Sequence, residues 1–250
     1  MEKQKLLIRF PNKEMTAREF IAFCKHILCS FQQFAPDMAT VGIWSADKKA
    51  NYYFDKKLSD FENIIFKEMQ IEEEKKGFAY INDDKSDKEL NLNSKSYGNF
   101  ALNFGISNNG DENEEISITI WAGKANETGI LNLEFPDKLQ QNISFVKILQ
   151  LAEFSINLVK PYYVTVISNE FRRKVGMEGQ NCWIGWINYF FNKEVANLLP
   201  KNIEKKVFSD GGVLFWLSEE KELSIDEVAV QEAIKIRDIL NKKGLLCYPS

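Results

Sequence analysis

The sequence predicts an α+β fold in which a mostly antiparallel sheet is flanked by helices. Short β-prone segments outnumber the helical ones, several are joined by hairpin turns, and the long helical segments follow single strands. Helices that each bury one apolar stripe against such a sheet are the natural packing. At 250 residues, 44% of them hydrophobic, the chain can bury a substantial core, as one domain over residues 1–250 or as halves 1–125 and 126–250.

The first helix is predicted after an initial strand, "KLLIRF". Thr16 is followed three residues later by Glu19, the spacing of a capping box in which each side chain accepts a hydrogen bond from an unpaired backbone N–H. The spacing of the apolar residues then indicates an amphipathic helix. Its expected buried face consists of Phe20, Phe23, Cys24, Ile27, Leu28, Phe31 and Phe34.

A second copy of this strand-helix-strand pattern is predicted 125 residues further on. The segment that begins at Leu131 aligns without a gap on the segment that begins at Leu6, with both prolines and the lengths between them retained. This agreement indicates an internal duplication. The second helix has a wider apolar surface and should be mostly buried, with a centre formed by Phe145, Ile148, Leu149, Ala152, Ile156 and Val159.

Two hairpins and a final helix are marked by turn and cap residues. Asn109-Gly110 separates two β-prone segments, and Asp210-Gly211-Gly212 separates two more. The last helix is expected to begin with a capping box between Ser224 and Glu227 and to end before Gly244. Between the repeats, "LSDFENIIFKEMQIEEEKK" is typical of another helix.

Composition restricts the class of protein. Cys24, Cys29, Cys182 and Cys247 lack the spacing of a zinc site, so we expect free thiols in a reducing compartment. The N-terminal segment has neither the apolar stretch nor the cleavage site of a secretion signal, and no apolar segment is long enough to span a bilayer. A net charge of −4 argues against a dedicated nucleic-acid-binding protein. We therefore expect a cytoplasmic protein that binds neither membrane nor nucleic acid directly.

No sequence motif points to a catalytic or cofactor site. The segment "GMEGQNCWIG" lacks the glycine spacing and the Lys-Ser/Thr pair of a phosphate-binding loop. His26 lies off the apolar face of the first helix, which favours a surface residue over a general base. We expect no enzymatic activity, no catalytic residues, no cofactor and no metal.

The acidic residues are the candidates for binding a partner. They lack the calcium-loop arrangement, so they are either solvated charges or a contact surface for a basic protein. They are Glu72, Glu73, Glu74, Asp83, Asp84, Asp111, Glu112, Glu114 and Glu115.

The segment "NCWIGWINYFFNKEVANLLP" concentrates aromatic residues. Trp183, Gly185 or Trp186, Ile187 and Tyr189 can alternate along a strand, so we expect Trp186 and Tyr189 to lie on a strand and to pack in the core. The order of Gly185, Trp186, Tyr189 and Phe190, followed by Gly211, Gly212, Val213 and Leu214 and a last helix, resembles the C-terminal signature of the bacterial immunity protein 52 family. The resemblance covers about residues 180–245.

This resemblance implies a non-enzymatic immunity protein of a polymorphic toxin system, often linked to type VI secretion. Such a protein binds and neutralises a co-encoded toxin, in this family often a predicted nuclease. An acidic surface would suit the basic cleft of a nuclease. Two alternatives stay open: an adaptor or chaperone that binds a secreted effector without abolishing its activity, and an enzyme of unrecognised type.

Overall fold

The computed structural model describes residues 3–38, 40–43, 52–76, 80–81, 90–108, 115–136, 143–176, 182–219 and 227–246, except for the side chains of 73–76 and 80–81. The helices are α1 (Ala17–Phe34), α2 (Phe61–Lys76), α3 (Phe145–Val159), α4 (Asn169–Val175), α5 (Val195–Leu198) and α6 (Glu227–Lys242). The strands are β1 (Gln4–Pro11), β2 (Thr40–Ile43), β3 (Tyr52–Tyr53), β4 (Tyr80–Ile81), β5 (Lys95–Ser96), β6 (Phe100–Ser107), β7 (Ile116–Ala122), β8 (Thr128–Glu134), β9 (Tyr163–Ser168), β10 (Ile187–Phe190), β11 (Glu204–Val207) and β12 (Val213–Trp216).

The chain divides into two compact units. Unit 1 comprises Met1–Phe10 and Leu133–Ser250, and unit 2 comprises Pro11–Asn132. The strand registers in both units are antiparallel and the helices pack on the sheets, which confirms the predicted α+β class. The units do not coincide with the expected halves 1–125 and 126–250, because the first strand belongs with the C-terminal part of the chain.

In unit 1 the sheet has the order β11-β12-β10-β9-β1, and both of its faces are covered. On one face, the ring of Phe145 in α3 contacts the rings of Trp186 and Trp216, with centroids 5.6 and 6.0 Å apart. On the other face, Tyr163, Ile167 and Phe215 belong to a core cluster together with residues from α4 and α6, among them Phe171, Val175, Val230, Ala233, Ile236 and Leu240.

In unit 2 the strands follow the order β3-β2-β6-β7-β8. Helices α1 and α2 pack on the face that carries Phe100 and Phe104. The ring of Phe20 stacks on Phe100 at 5.1 Å between centroids, and Phe61 stacks on Phe104 at 6.0 Å. The strand pairing of the first predicted hairpin is confirmed. Strand β6 pairs with β7 from Phe100 opposite Ala122 to Ile106 opposite Ile116.

Helix α1 begins with the predicted capping box. Thr16 Oγ1 accepts a hydrogen bond from the Glu19 backbone N–H at 3.3 Å, and Glu19 Oε2 accepts one from the Thr16 backbone N–H at 2.8 Å. Five of the seven predicted face residues are buried, whereas Phe23 is half-buried and Phe34 is 36% exposed. Phe34 is the last residue of the helix, where the chain turns away after Ala35.

The apolar face of α3 lies slightly to one side of the predicted centre. Leu151 and Ser155 are buried, while Leu149 and Val159 are only half-buried. Val146 is 57% exposed, so the helix is less enclosed than predicted. The helix ends at Val159, and the next residue, Lys160, adopts the left-handed conformation with φ of 48°.

The C-terminal hairpin turns where predicted. Gly211 has φ of 90°, and Asp210 Oδ1 accepts a hydrogen bond from the Gly212 backbone N–H at 3.0 Å. Helix α6 ends at Lys242 and is followed by Gly244 with φ of 67°, as expected for a glycine beyond a helix end. The predicted turn at Asn109-Gly110 and the cap residue Ser224 lie outside the described residues.

The strand-helix-strand order recurs as β1-α1-β2 and β8-α3-β9. The strand pairings of the two segments differ, however. Strand β9 pairs with β1 and β10, whereas its counterpart β2 pairs with β3 and β6. Internal duplication therefore stays a prediction from the sequence alignment.

Candidate partner-binding surface

The aromatic residues of the signature segment lie inside unit 1. Tyr189 on β10 is 1% exposed, and Trp186, immediately before that strand, is fully buried. The Trp186 indole Nε1–H donates to the Ser218 carbonyl at 2.8 Å, so its one polar group is paired. As predicted, both side chains pack in the core; neither is open to a partner.

Gly185 and Asn188 form a buried clasp beside this tryptophan. The Asn188 side chain accepts a hydrogen bond from the Gly185 N–H at 2.7 Å and donates one to the Gly185 carbonyl at 2.8 Å. Thr165 Oγ1 donates to the same Asn188 oxygen at 3.1 Å. A Cβ atom at position 185 would lie 2.3 Å from the Val166 carbonyl oxygen, so the close approach requires glycine.

Gly212 allows a similar close approach to Tyr189. A Cβ atom at Gly212 would lie 2.2 Å from the Tyr189 hydroxyl oxygen. Burial raises the pKa of the Tyr189 hydroxyl well above its ordinary value, and the negative charge of Asp210 raises it further. The hydroxyl is therefore neutral at physiological pH. The glycines and aromatic residues of the signature thus serve close packing within unit 1.

Unit 2, by contrast, presents a sheet face with exposed side chains, which we call the outer face. It is the face opposite α1 and α2 and carries Gly42, Tyr53, Asn103, Gly105, Thr119 and Trp121. Residues directly opposite each other in neighbouring strands share a face, so the registers also place Ala101 and Ser117 on it. Asn103 is exposed, and Trp121 and Tyr53 are 43% and 39% exposed.

The two glycines of the outer face are covered by neighbouring side chains. The ring of Tyr53 lies over Gly42, where a Cβ atom would be 3.0 Å from the ring carbons. The carboxylate of Glu115 lies over Gly105, where a Cβ atom would be 1.9 Å from the carboxyl carbon. Glu115 is only 6% exposed. The outer face is therefore filled at this end and open around Trp121.

The sequence model of the family described as Immunity protein 52 matches residues 58–248. The chain belongs to this family. Comparison with curated proteins gives no significant match. Among solved structures, the chain is similar in fold to "Pseudomonas aeruginosa T6SS protein PA0821", with a TM-score of 0.53 and 11% sequence identity over 99% of this chain and 76% of that chain.

For this member of the immunity protein 52 family, the structure places some of the predicted acidic contact residues. Glu72 is half-buried on α2, and Glu73 and Glu74 follow it in the same helix. Asp83, Asp84, Asp111, Glu112 and Glu114 lie outside the described residues. Glu115 is buried against Gly105, so it does not offer the exposed carboxylate that the sequence suggested.

His26 and the cysteines are the remaining residues considered for catalysis or metal binding. His26 is exposed on α1, as predicted. Cys24, Cys29 and Cys182 are free thiols, also as predicted, and Cys247 lies outside the described residues. Burial raises the pKa of Cys24 well above its ordinary value. Across the described ranges, no cluster of three His, Cys, Asp or Glu side chains could hold a metal ion. Nor does any helix in that part of the chain have the length and apolar character to cross a membrane.

Trp121 was not among the residues predicted to bind a partner. The signal was present in "ISITIWA", because Trp121 alternates out of phase with the buried Ile116, Ile118 and Ile120. An out-of-phase tryptophan on a strand with one buried face is expected to face outward. Exposed tryptophan is enriched where proteins bind one another.

Proposed function

We propose that this chain binds and neutralises a co-encoded toxin in the cytoplasm by protein–protein contact, without catalysis of its own. The observation that carries the proposal is membership of the immunity protein 52 family, whose model matches residues 58–248. The matched region includes the signature residues of unit 1 and most of the unit 2 sheet.

We propose further that the toxin is a nuclease. The support is electrostatic: a nuclease cleft must attract phosphate and is therefore basic, while this chain carries a net charge of −4. Complementary charge accelerates association and disfavours wrong partners. Glu72, Glu73, Glu74, Asp83, Asp84, Asp111, Glu112 and Glu114 remain candidate contact residues in this proposal.

The test is protection of a sensitive cell. The toxin gene next to this one is expressed in the cytoplasm of a bacterial host with and without this chain, and survival is counted. We expect survival to rise by several orders of magnitude when the chain is present. Equal killing in both cultures would contradict neutralisation. Formation of a stable complex without protection would indicate the adaptor or chaperone alternative.

The nuclease assignment has a separate readout. In cells that express the toxin alone, we expect degradation of chromosomal DNA or of cellular RNA before membrane integrity is lost. Co-expression of this chain should prevent that degradation. Intact nucleic acid in dying cells would exclude a nuclease while leaving neutralisation itself untouched.

A further inference from the structure

Exposed hydrophobic side chains differ in kind between the two units. In the described part of unit 2 the large ones are all aromatic: Phe34, Tyr52, Tyr53, Tyr97 and Trp121. In the described part of unit 1 they are three valines and one phenylalanine: Val146, Phe191, Val207 and Val228. Tyrosine and tryptophan are the side chains most enriched among residues that dominate binding energy at interfaces.

Two of these aromatic residues share the outer face. Trp121 has Ala101 directly opposite it on β6, a small residue that leaves the indole accessible. Tyr53 lies on β3, three strands away from β7 in the sheet order. From strand spacing and rise, the two side chains are separated by about 20 Å. A partner that buries about 800 Å² of this chain, the usual area in a standard interface, can therefore cover both side chains.

The sheet end beside Trp121 is held by a polar network. Asn12 donates to the Asn99 side-chain oxygen at 2.6 Å, and the Lys124 backbone N–H donates to the same oxygen at 3.2 Å. Asn99 also donates to Glu127 at 3.1 Å, and the Gly123 N–H donates to Asn12 at 3.0 Å. Trp121 therefore stands beside a rim that is already ordered, which lowers the entropy cost of binding.

Charge is also divided between the units. By sequence, unit 2 carries 14 Lys and Arg against 20 Asp and Glu, a formal net charge of −6. Unit 1 carries 18 Lys and Arg against 16 Asp and Glu, a net charge of +2. By formal net charge, long-range attraction of a basic partner therefore favours unit 2 over unit 1.

We propose that the outer face of unit 2 is the docking surface for a basic protein, with Trp121 as its main hydrophobic anchor and Asn103 and Thr119 beside it. The inference rests on the proposed function, because the basic partner is the co-encoded toxin. Thr119 Oγ1 donates to Asn103 Oδ1 at 2.7 Å, so these two neighbours of Trp121 present an ordered polar surface. The aromatic anchor supplies affinity, and the negative charge of the unit supplies attraction at a distance.

The test measures the affinity of the purified product of the adjacent toxin gene for four variants of the full chain. Trp121→Ala removes the anchor, and Asn103→Lys places a positive charge on the exposed outer face. Phe191→Ala is the matched control for loss of an exposed aromatic ring, since Phe191 lies in unit 1 and is 52% exposed. Asn157→Lys, at an exposed position of α3 in unit 1, is the matched control for the added charge.

We expect Trp121→Ala to weaken binding by at least about 30-fold, as for other aromatic anchors. Asn103→Lys should weaken it by at least about 10-fold, chiefly through slower association. Both control variants should stay within about 3-fold of the wild type. A circular dichroism melt of each variant checks its fold, and Asn103→Lys provides the result if Trp121→Ala does not fold.

The outcomes separate this inference from the proposed function. If the wild type protects cells and both outer-face variants bind within about 3-fold of it, the outer face is excluded while neutralisation stands. If Phe191→Ala and Asn157→Lys weaken binding as strongly as their counterparts, the assignment to unit 2 is also overturned. If the wild type neither binds nor protects, both proposals are wrong.

Discussion

The two units of this immunity protein cover their sheets differently. In unit 1, α3 packs on one face of the sheet, and α4 and α6 contribute to the core on the other, so every residue of β9 is buried. In unit 2, α1 and α2 pack on one face, and the opposite face carries the exposed Trp121 and Asn103. A sheet enclosed on both faces has little surface left for recognition, whereas a half-covered sheet can offer one.

This difference separates the residues that identify the family from those we assign to binding. Gly185, Trp186, Tyr189 and Gly212 lie at close contacts inside unit 1, where substitution would disturb the packing. Trp121 can change without leaving a cavity in the core. A sequence signature can therefore mark a scaffold while the partner contacts lie elsewhere in the chain.

The largest expected effect is from Trp186→Ala in unit 1. The side chain is fully buried and contacts Phe145, so truncation leaves a large cavity and removes the hydrogen bond to the Ser218 carbonyl. We expect a loss of about 3–5 kcal/mol in the free energy of unfolding, measured by urea denaturation. A variant that keeps wild-type stability but no longer binds the toxin would make Trp186 a contact residue. It would contradict the assignment of packing to unit 1 and binding to unit 2.

A smaller loss in the free energy of unfolding is expected from Asn188→Ala. The change removes the partner of the Gly185 N–H, the Gly185 carbonyl and the Thr165 hydroxyl, all inside unit 1. Leaving such buried groups unpaired should cost about 1–3 kcal/mol. Asn192→Ala serves as the control, because the Asn192 side chain accepts an exposed hydrogen bond from the Glu194 N–H. Equal denaturation midpoints for the two variants would show that the clasp is not stabilising.

In unit 2, Glu19→Ala should cost about 0.5–1 kcal/mol at neutral pH, because it removes half of the α1 capping box and a negative charge at the helix N-terminus. The backbone hydrogen bond from Thr16 lowers the pKa of the Glu19 carboxyl. A lowered pKa in the folded state stabilises the fold above the ordinary Glu value of about 4.3 and loses that contribution as the pH falls through the folded value.

The difference in stability between Glu19→Ala and wild type should therefore shrink as the pH is lowered below about 4. Denaturation series at pH 7 and pH 3 measure it. A difference that is the same at both pH values would show that the charge of Glu19 does not contribute.

The smallest effect on stability is expected from Trp121→Ala, at less than about 1 kcal/mol, because the side chain lies on the exposed outer face. Together with Trp186→Ala it forms a direct comparison of two tryptophans in the two units. A loss as large as that of Trp186→Ala would mean that Trp121 is needed for packing in unit 2, and its assignment as a binding anchor would lose its basis.

Features determined by neighbouring residues could be read from the sequence. The capping box of Thr16 and Glu19 and the turn at Gly211 depend on local spacing, and both were predicted correctly. The burial of Trp186 and Tyr189 followed from the aromatic composition of a short strand segment.

Features that depend on distant contacts could not be read in this way. The pairing of β1 with β9 joins residues that are more than 150 positions apart. Glu115 belongs to an acidic run in the sequence, but in the fold it is buried and its carboxylate lies over Gly105 on the neighbouring strand. For Trp121, the sequence shows that the side chain lies on the face opposite the buried isoleucines of its strand. Its exposure, however, depends on which face of the sheet the helices cover.

The most direct test of neutralisation is a titration of toxin activity with the purified chain. The product of the adjacent toxin gene is assayed on DNA and RNA substrates while wild-type chain is added at concentrations from below to above that of the toxin. We expect toxin activity to fall to background once the chain is equimolar with the toxin. With Trp121→Ala, a higher concentration of chain should be needed for the same inhibition. Undiminished toxin activity in a large excess of folded wild-type chain would contradict neutralisation.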